Sequence, residues 1–474
     1  MAPGRRTAVG LLLLLTACSA GDDVPPPASS RLRPTLPPTS VAPPAAPTVP
    51  PAAAARGCPQ APARAEPDAT RPRYKLTVDV RTTESLVVGT VAVRFVPDLA
   101  IDKLVFRLWP NGPRPSQGGG SMSVGDVVVD GAAVASTVGP EDSTVLTVPL
   151  PAPIPAGRPV NVQAPWRLQL PTAARDRISR EGDAVRLGSF FPILPWEPGT
   201  GWQTEPPTGA FAEASTAPVA DFDFSVTVPQ GIDVLASGVN DAPGHWTAIA
   251  MRDIALSIGR FTLATGTAMA PGPVQVTVGV HQTINESADR YLNKALAVLA
   301  DFGKRFGPYP WPTFTLAITP SLPGGIEYPG HVMQGPATFG ATTSHEIAHQ
   351  WFYGLVGNDQ GRDPWLDEGL ASWGEGRYEA SLDEFAATTI PAAAAGHLGA
   401  PMAFWSRQPG VYYEGVYVQG VKALEAFHDP DLVDCALRTY VAVFGHRIAK
   451  PGDLVAALGA AFPDARAVLA PFGV

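Results

Sequence analysis

The chain has 474 residues with 34 Lys and Arg against 43 Asp and Glu, a formal charge of −9 and a pI near 5.4. That balance argues against nucleic acid as a partner, which needs a basic footprint. After the first 18 residues no apolar run reaches the ~20 residues of a membrane-spanning helix. The roughly 400 residues beyond a proline-rich stretch exceed one ordinary core and predict two domains.

Arg5 and Arg6 precede the apolar run Val9 to Leu15, which small residues follow. A basic start, a short apolar core and a small-residue cleavage point predict a signal peptide over residues 1–17. Leu15-Thr16-Ala17-Cys18 resembles a bacterial lipobox. The resemblance implies a lipid anchor on Cys18, with the protein exported to the outer face of the cytoplasmic membrane as a lipoprotein. The alternative is an ordinary signal, an incidental cysteine and a secreted protein. Residues 18–72 read as a tether, since 11 of the 28 residues from Val24 to Pro51 are proline. Such composition buries little apolar surface and stays extended. Cys58 and Cys435 could pair outside the cell, but their positions in the sequence do not decide it.

Residues 73–265 read as β. Tyr74, Leu76, Val78 and Val80 alternate with polar neighbours, and Val91-Val93-Phe95, Leu104-Phe106-Leu108 and Phe222-Phe224-Val226-Val228 repeat the pattern. No long helix is predicted before Phe261. Residues 266–474 mix both periods. Val274, Val276, Val278 and Val280 alternate, whereas Ala288, Leu292, Ala295, Leu299, Phe302 and Phe306 recur at helical spacing. Asp429-Pro430 opens a later helix.

His345 and His349 are four residues apart, so a helix presents them on one face. Two imidazoles at that spacing grip one ion, with Glu346 between them beside the metal. With eighteen residues between it and His349 stands Glu368, in a segment opened by Asp363-Pro364, a good helix start. His345, His349 and Glu368 complete a three-ligand zinc set with one position left for water, the catalytic rather than the structural arrangement. One Zn2+ per chain is expected, with Glu346 as general base.

The frame His345-Glu346…His349, Trp351, Gly354, Val356 and then Trp365, Leu366, Glu368, Gly369, Ala371 resembles the zinc aminopeptidases of the gluzincin clan, the alanyl aminopeptidase family. Gly354 stands one place later than in many members. The resemblance implies a multidomain β plus α/β fold. Its parts are an N-terminal β-saddle and a thermolysin-like α+β zinc peptidase domain with a helical C-terminal part. Gly324-Gly325-Ile326-Glu327-Tyr328 resembles the family's substrate-edge motif, although Tyr328 replaces the usual Asn. It implies that Glu327 pairs with a substrate's α-ammonium and that Gly324 and Gly325 let a peptide approach. Tyr417-Val418-Gln419-Gly420 resembles the segment bearing the family's oxyanion-stabilising tyrosine, which selects Tyr417 over Tyr412 and Tyr413. Many relatives add a second amine anchor from the β domain, for which Glu181, Asp183 and Glu197 are the weak candidates. His331 reads as structural. The function expected is an aminopeptidase acting on peptides. The alternatives are a zinc endopeptidase or other hydrolase on the same fold, or a non-catalytic surface binding lipoprotein.

Overall fold

Alternation in the first half builds a sheet with one buried face. Strand β1 (Arg73–Arg81) buries Tyr74, Leu76, Val78 and Val80 and exposes the residues between them. It pairs antiparallel with β2 (Leu86–Phe95), which pairs with β3 (Val160–Gln169); on its other edge β1 runs parallel to β4 (Ala220–Thr227), which pairs with β5 (His245–Met251). Register puts Tyr74 beside Phe222, and their rings stack with centroids 4.9 Å apart. This is a computed structural model, and it describes residues 47–172, 176–209 and 216–474. The expected signal, Cys18 and most of the proline-rich run lie outside those residues. In this half the α-helical content among the described residues is one short helix, Pro113–Gln117.

The second half is α+β. Its five-stranded sheet comprises β6 (Phe261–Met269), β7 (Pro273–His281), β8 (Thr313–Ile318), β9 (Gly325–Tyr328) and β10 (His331–Gln334), in the order β6-β7-β8-β10-β9. β6 belongs whole to this sheet, so the boundary expected at 265/266 falls inside a strand and the second lobe begins at about Phe261. β9 is an edge strand, antiparallel to β10, and it borders the site.

Helix α1 (Ala288–Arg305) packs on β6 and β7. The Ser287 side chain caps it by accepting the Arg290 N–H, Asp289 lies in its first turn, and Lys304 and Arg305 lie in its last. Its buried face, with Leu292, Ala295, Leu299 and Phe302, follows the predicted spacing. Phe302 packs edge-on against Trp351 at 5.8 Å, and Phe306 against Phe352 at 4.9 Å. These contacts seat α2 (Ala341–Ala348), the helix that ends at His349. Then come α3 (Trp365–Glu379), α4 (Gln419–Glu425), α5 (Pro430–Phe444) and α6 (Pro451–Gly459). Gly369 and Gly420 face each other where α3 crosses α4, and a β-carbon on either glycine would press on the other's backbone.

The lobes meet through buried polar groups. Arg252, after β5, donates from Nη1 to Ala217 O (2.9 Å), from Nε to Gly354 O (3.3 Å) and from Nη2 to Arg447 O (3.2 Å). One guanidinium thus ties a β-lobe loop to the turn behind the α2 histidines. His331, fully buried, hydrogen-bonds Ser257 at 2.9 Å, and burial pushes its pKa down to about 3, which fits a structural role.

The last part of the expected tether is not free. The N–H groups of Ala53, Gly57 and Ala65 donate to Gly459 O, Ala461 O and Ala442 O at 2.8–3.2 Å. Cys58 and Cys435 form a disulfide with Cα atoms 5.7 Å apart, closing a sequence separation of 377. Cross-links over long loops stabilise mainly by restricting the unfolded chain. Breaking this one, by reductant or by Cys58→Ser, should lower unfolding free energy by about 2–4 kcal/mol. Denaturant unfolding of oxidised and reduced protein followed by fluorescence checks this; identical midpoints would refute it.

Candidate metal centre

Helix geometry brings His345 and His349 onto one face, and the α2–α3 contact brings Glu368 to them. Close packing of the helices depends on Gly374, where a β-carbon would press into Ala348. His345 Nε2 lies 3.1 Å from His349 Nε2 and 3.1 Å from Glu368 Oε2, and His349 Nε2 lies 3.3 Å from the same oxygen. A tetrahedral zinc with ligands at 2.0–2.1 Å would space them about 3.3 Å apart. The triangle therefore has the size of one face of such a site.

The outer nitrogens show why these atoms can be ligands. His345 Nδ1 lies 3.1 Å from Glu375 Oε2; His349 Nδ1 lies 2.6 Å from Asp367 Oδ1 and 3.1 Å from Phe352 O. Acceptors on both Nδ1 atoms favour protons there, which leaves both Nε2 lone pairs aimed inward with the Glu368 oxygen. Three acceptors so close need positive charge between them. In the metal-free chain, burial disfavours a charged His345, but Glu368 and Glu375 outweigh it and raise its pKa to about 10. Burial likewise works against the Glu368 carboxylate, and the two histidines hold it well below its usual range. A divalent cation would supply that charge at the same point, so the donor set fits zinc.

Glu346, also buried, turns one carboxylate oxygen, Oε2, to a position without a hydrogen-bond partner among the described residues. Burial raises its pKa to about 7, against the lowering pull of His345 and His349. Gly325 lies against it: a β-carbon there would overlap the Glu346 carboxyl group. Gly324 has nothing within 4 Å of such an atom, so the need for a bare backbone falls on Gly325.

Along β9, Ile326 and Tyr328 pack in a small apolar cluster, while alternation sends Glu327 to the opposite side. There a Glu327 oxygen, a Glu346 oxygen and a His349 nitrogen lie within 4.8 Å of one another. Burial raises the Glu327 pKa to about 8, with His349 opposing and the neighbouring carboxylates adding to the rise. Tyr328 turns away from the metal, its hydroxyl 3.2 Å from Ser189 Oγ, which donates to Asp253 at 2.7 Å. The residue that departs from the family motif is thus a lobe-to-lobe contact.

Tyr417 stacks on the His345 ring at 5.6 Å and 14°, and burial together with the Glu368 carboxylate raises its hydroxyl's pKa well above the ordinary value. The Gly369–Gly420 crossing allows this approach. Tyr412 stands edge-on to Tyr417 at 5.7 Å, and Tyr413 is 53% exposed. Of the β-domain acids, Asp183 lies 2.8 Å from Arg260 Nη1 and 3.2 Å from His281 Nε2, and Glu197 lies 3.0 Å from Lys450 Nζ.

Sequence reasoning missed three supporting residues. Glu375, two turns beyond Glu368 on α3, and Asp367 were legible as carboxylates at ligand-facing spacing. Gln350 was not: its Nε2 donates to Tyr328 O (3.1 Å) and its Oε1 accepts from Gly330 N–H (2.8 Å), fastening β9 to the metal helix. Tyr353 has φ of +117°, in the region that favours glycine. It precedes Gly354, the glycine that the motif resemblance places one position earlier.

No family model matches the chain. Aminopeptidase B of Mus musculus is 33% identical over 118 residues, 23% of this chain and 18% of that protein. Leukotriene A-4 hydrolase of Xenopus laevis is 36% identical over 84 residues, 16% and 14% of the two chains. Endoplasmic reticulum aminopeptidase 1 of Mus musculus is 33% identical over 125 residues, 23% and 13%. The chain thus aligns with less than a fifth of each of these relatives. Among solved structures, an M1 zinc metallopeptidase from Deinococcus radiodurans superposes with a TM-score of 0.62 at 19% identity, over 85% of this chain and 94% of that one. A glutamate-to-alanine mutant of that metallopeptidase, bound to Tyr-Ser-Ala substrate, gives 0.61 at the same identity and coverage. These structures share the fold.

Outer carboxylates raise ligand basicity and fix ring orientation, and losing one typically costs 10- to 100-fold in metal affinity. Asp367→Asn and Glu375→Gln should each weaken zinc binding by about that factor. Competition with a chromophoric chelator measures it; wild-type affinity in both variants would refute the assignment.

Proposed function

We propose that this chain, whose motifs and fold support placement in the gluzincin M1 aminopeptidase family, is a zinc aminopeptidase that removes N-terminal residues from peptides. The observation that carries the reading is Glu327, buried and within 4.8 Å of ligand and base atoms. A zinc ion held by His345, His349 and Glu368 supplies a Lewis acid for the scissile carbonyl and lowers the pKa of its water to roughly 7.

The protein's residues do the rest. Glu327 pairs with the substrate's α-ammonium, a charge-assisted contact that sets which peptide bond is presented. The β9 edge takes the peptide backbone as an added strand, and Gly325 leaves room for it above Glu346. Glu346 accepts a proton from the attacking water and passes it to the departing amine. Tyr417 donates its phenol proton to the developing oxyanion. Stacking keeps the ring beside His345, and burial with the nearby Glu368 charge keeps the hydroxyl protonated.

The sequence also supports export and a lipid anchor at Cys18, through the basic start, the apolar core and the lipobox-like Leu15-Thr16-Ala17-Cys18. Metabolic labelling with a radioactive fatty acid tests the anchor, and Cys18→Ala should abolish incorporation.

Glu346→Gln preserves shape and removes the base. It should keep stoichiometric zinc while kcat falls by about 10²–10⁴; near-normal turnover would rule out this role. On matched peptides with free or acetylated N-termini, the protein should cleave only the free ones, and a chelator should stop cleavage until zinc is restored. Preference for acetylated peptides would favour the endopeptidase alternative.

A further inference from the structure

An α-ammonium group carries three N–H donors, more than one carboxylate at the end of a pocket satisfies well. Glu327 is one acceptor. The three β-lobe acids named as candidates are committed elsewhere: Asp183 is held by Arg260 and His281, Glu197 by Lys450 and Thr200, and Glu181 closes a hairpin opposite Ala184.

Tyr412 packs beside Tyr417, whose ring stacks on the ligand His345. Its ring is set edge-on between Trp405, at 5.9 Å, and Tyr417, at 5.7 Å, which fixes its direction. Its hydroxyl is sealed from solvent and has no hydrogen-bond partner among the described residues. A buried hydroxyl left unpaired is unfavourable, and such groups call for a partner. Glu368, Asp367 and Glu327 all act electrostatically on this phenol and, after burial itself, help keep it protonated far above its ordinary pKa. The same carboxylates attract a cation, and a phenol oxygen beside them has a lone pair free to accept one of its N–H groups.

We propose that Tyr412 is the second anchor for the substrate's α-ammonium, its phenol oxygen accepting one N–H while Glu327 accepts another. This rests on the aminopeptidase reading and adds to it the group that completes amine recognition. The metal-side wall then provides the contact for which the β lobe offers no uncommitted acid among these candidates. Tyr412→Phe removes the oxygen and keeps the ring that packs on Trp405 and Tyr417.

The test compares wild type and Tyr412→Phe, both zinc-loaded, on leucyl-p-nitroanilide and on its des-amino counterpart, in which hydrogen replaces the α-ammonium. A hydrogen bond to a charged group corresponds to about 10- to 100-fold in binding. KM for the free-amine substrate should rise by about 10-fold or more, with kcat changed by less than about threefold. The des-amino substrate should show no difference between the two proteins. Calorimetric binding of free leucine should weaken by the same factor as KM. Unchanged KM and leucine affinity would overturn the proposal, and so would equal losses on both substrates, which would instead mark Tyr412 as an oxyanion donor or a structural residue. If wild type itself turns over the two substrates equally well, the aminopeptidase reading falls and takes this inference with it; a wild-type preference that Tyr412→Phe retains in full sinks the inference alone.

Discussion

Two imidazole nitrogens and a carboxylate oxygen held 3.1–3.3 Å apart repel one another unless positive charge lies between them. Much of the second lobe serves to hold them there regardless. α2 is seated by the aromatic contacts of Phe302 and Phe306, α3 closes on it at Gly374, and Glu375 and Asp367 fix the two rings from behind. The energy needed to crowd the three acceptors comes from packing remote from them. Ligands held in this way suit tight, geometry-selective binding of a cation.

The β lobe takes part in the chemistry through backbone placement. Tyr328 reaches Ser189 and, through it, Asp253, while Arg252 holds the carbonyls behind the metal helix. β9 is thereby fixed from both sides, by the β lobe through Tyr328 and by the metal helix through Gln350. A strand so fixed presents Glu327 at a constant height above the metal face.

How much of this was legible in the sequence follows from the range of each interaction. The zinc triad could be read because helical periodicity is local: i and i+4 determine a face, and Asp363-Pro364 marks where the next helix starts. The strands of the first lobe could be read for the same reason, by alternation at Tyr74 to Val80. Gln350 could not, because its significance lies in a turn twenty residues away in sequence that only the folded sheet brings near. Tyr328 looked like a gap in a motif, since nothing local announces that its ring points into another lobe. The boundary at 265 missed β6 because an alternating strand shows its period without showing which sheet receives it. The disulfide was undecidable, as 377 residues intervene.

That disulfide has a topological consequence. The bond from Cys58 to Cys435 encloses the whole β lobe and the whole metal site in one covalent ring. A single peptide-bond cut anywhere between those two cysteines opens the ring without releasing a fragment. Both pieces stay joined through sulfur, held in register by the sheets and helices that still pack together. In an oxidising medium that contains proteases, a nicked molecule of this kind keeps its histidines, its acids and its β9 edge on one covalent body. In a reducing environment the same nick would leave those parts joined by noncovalent contacts alone.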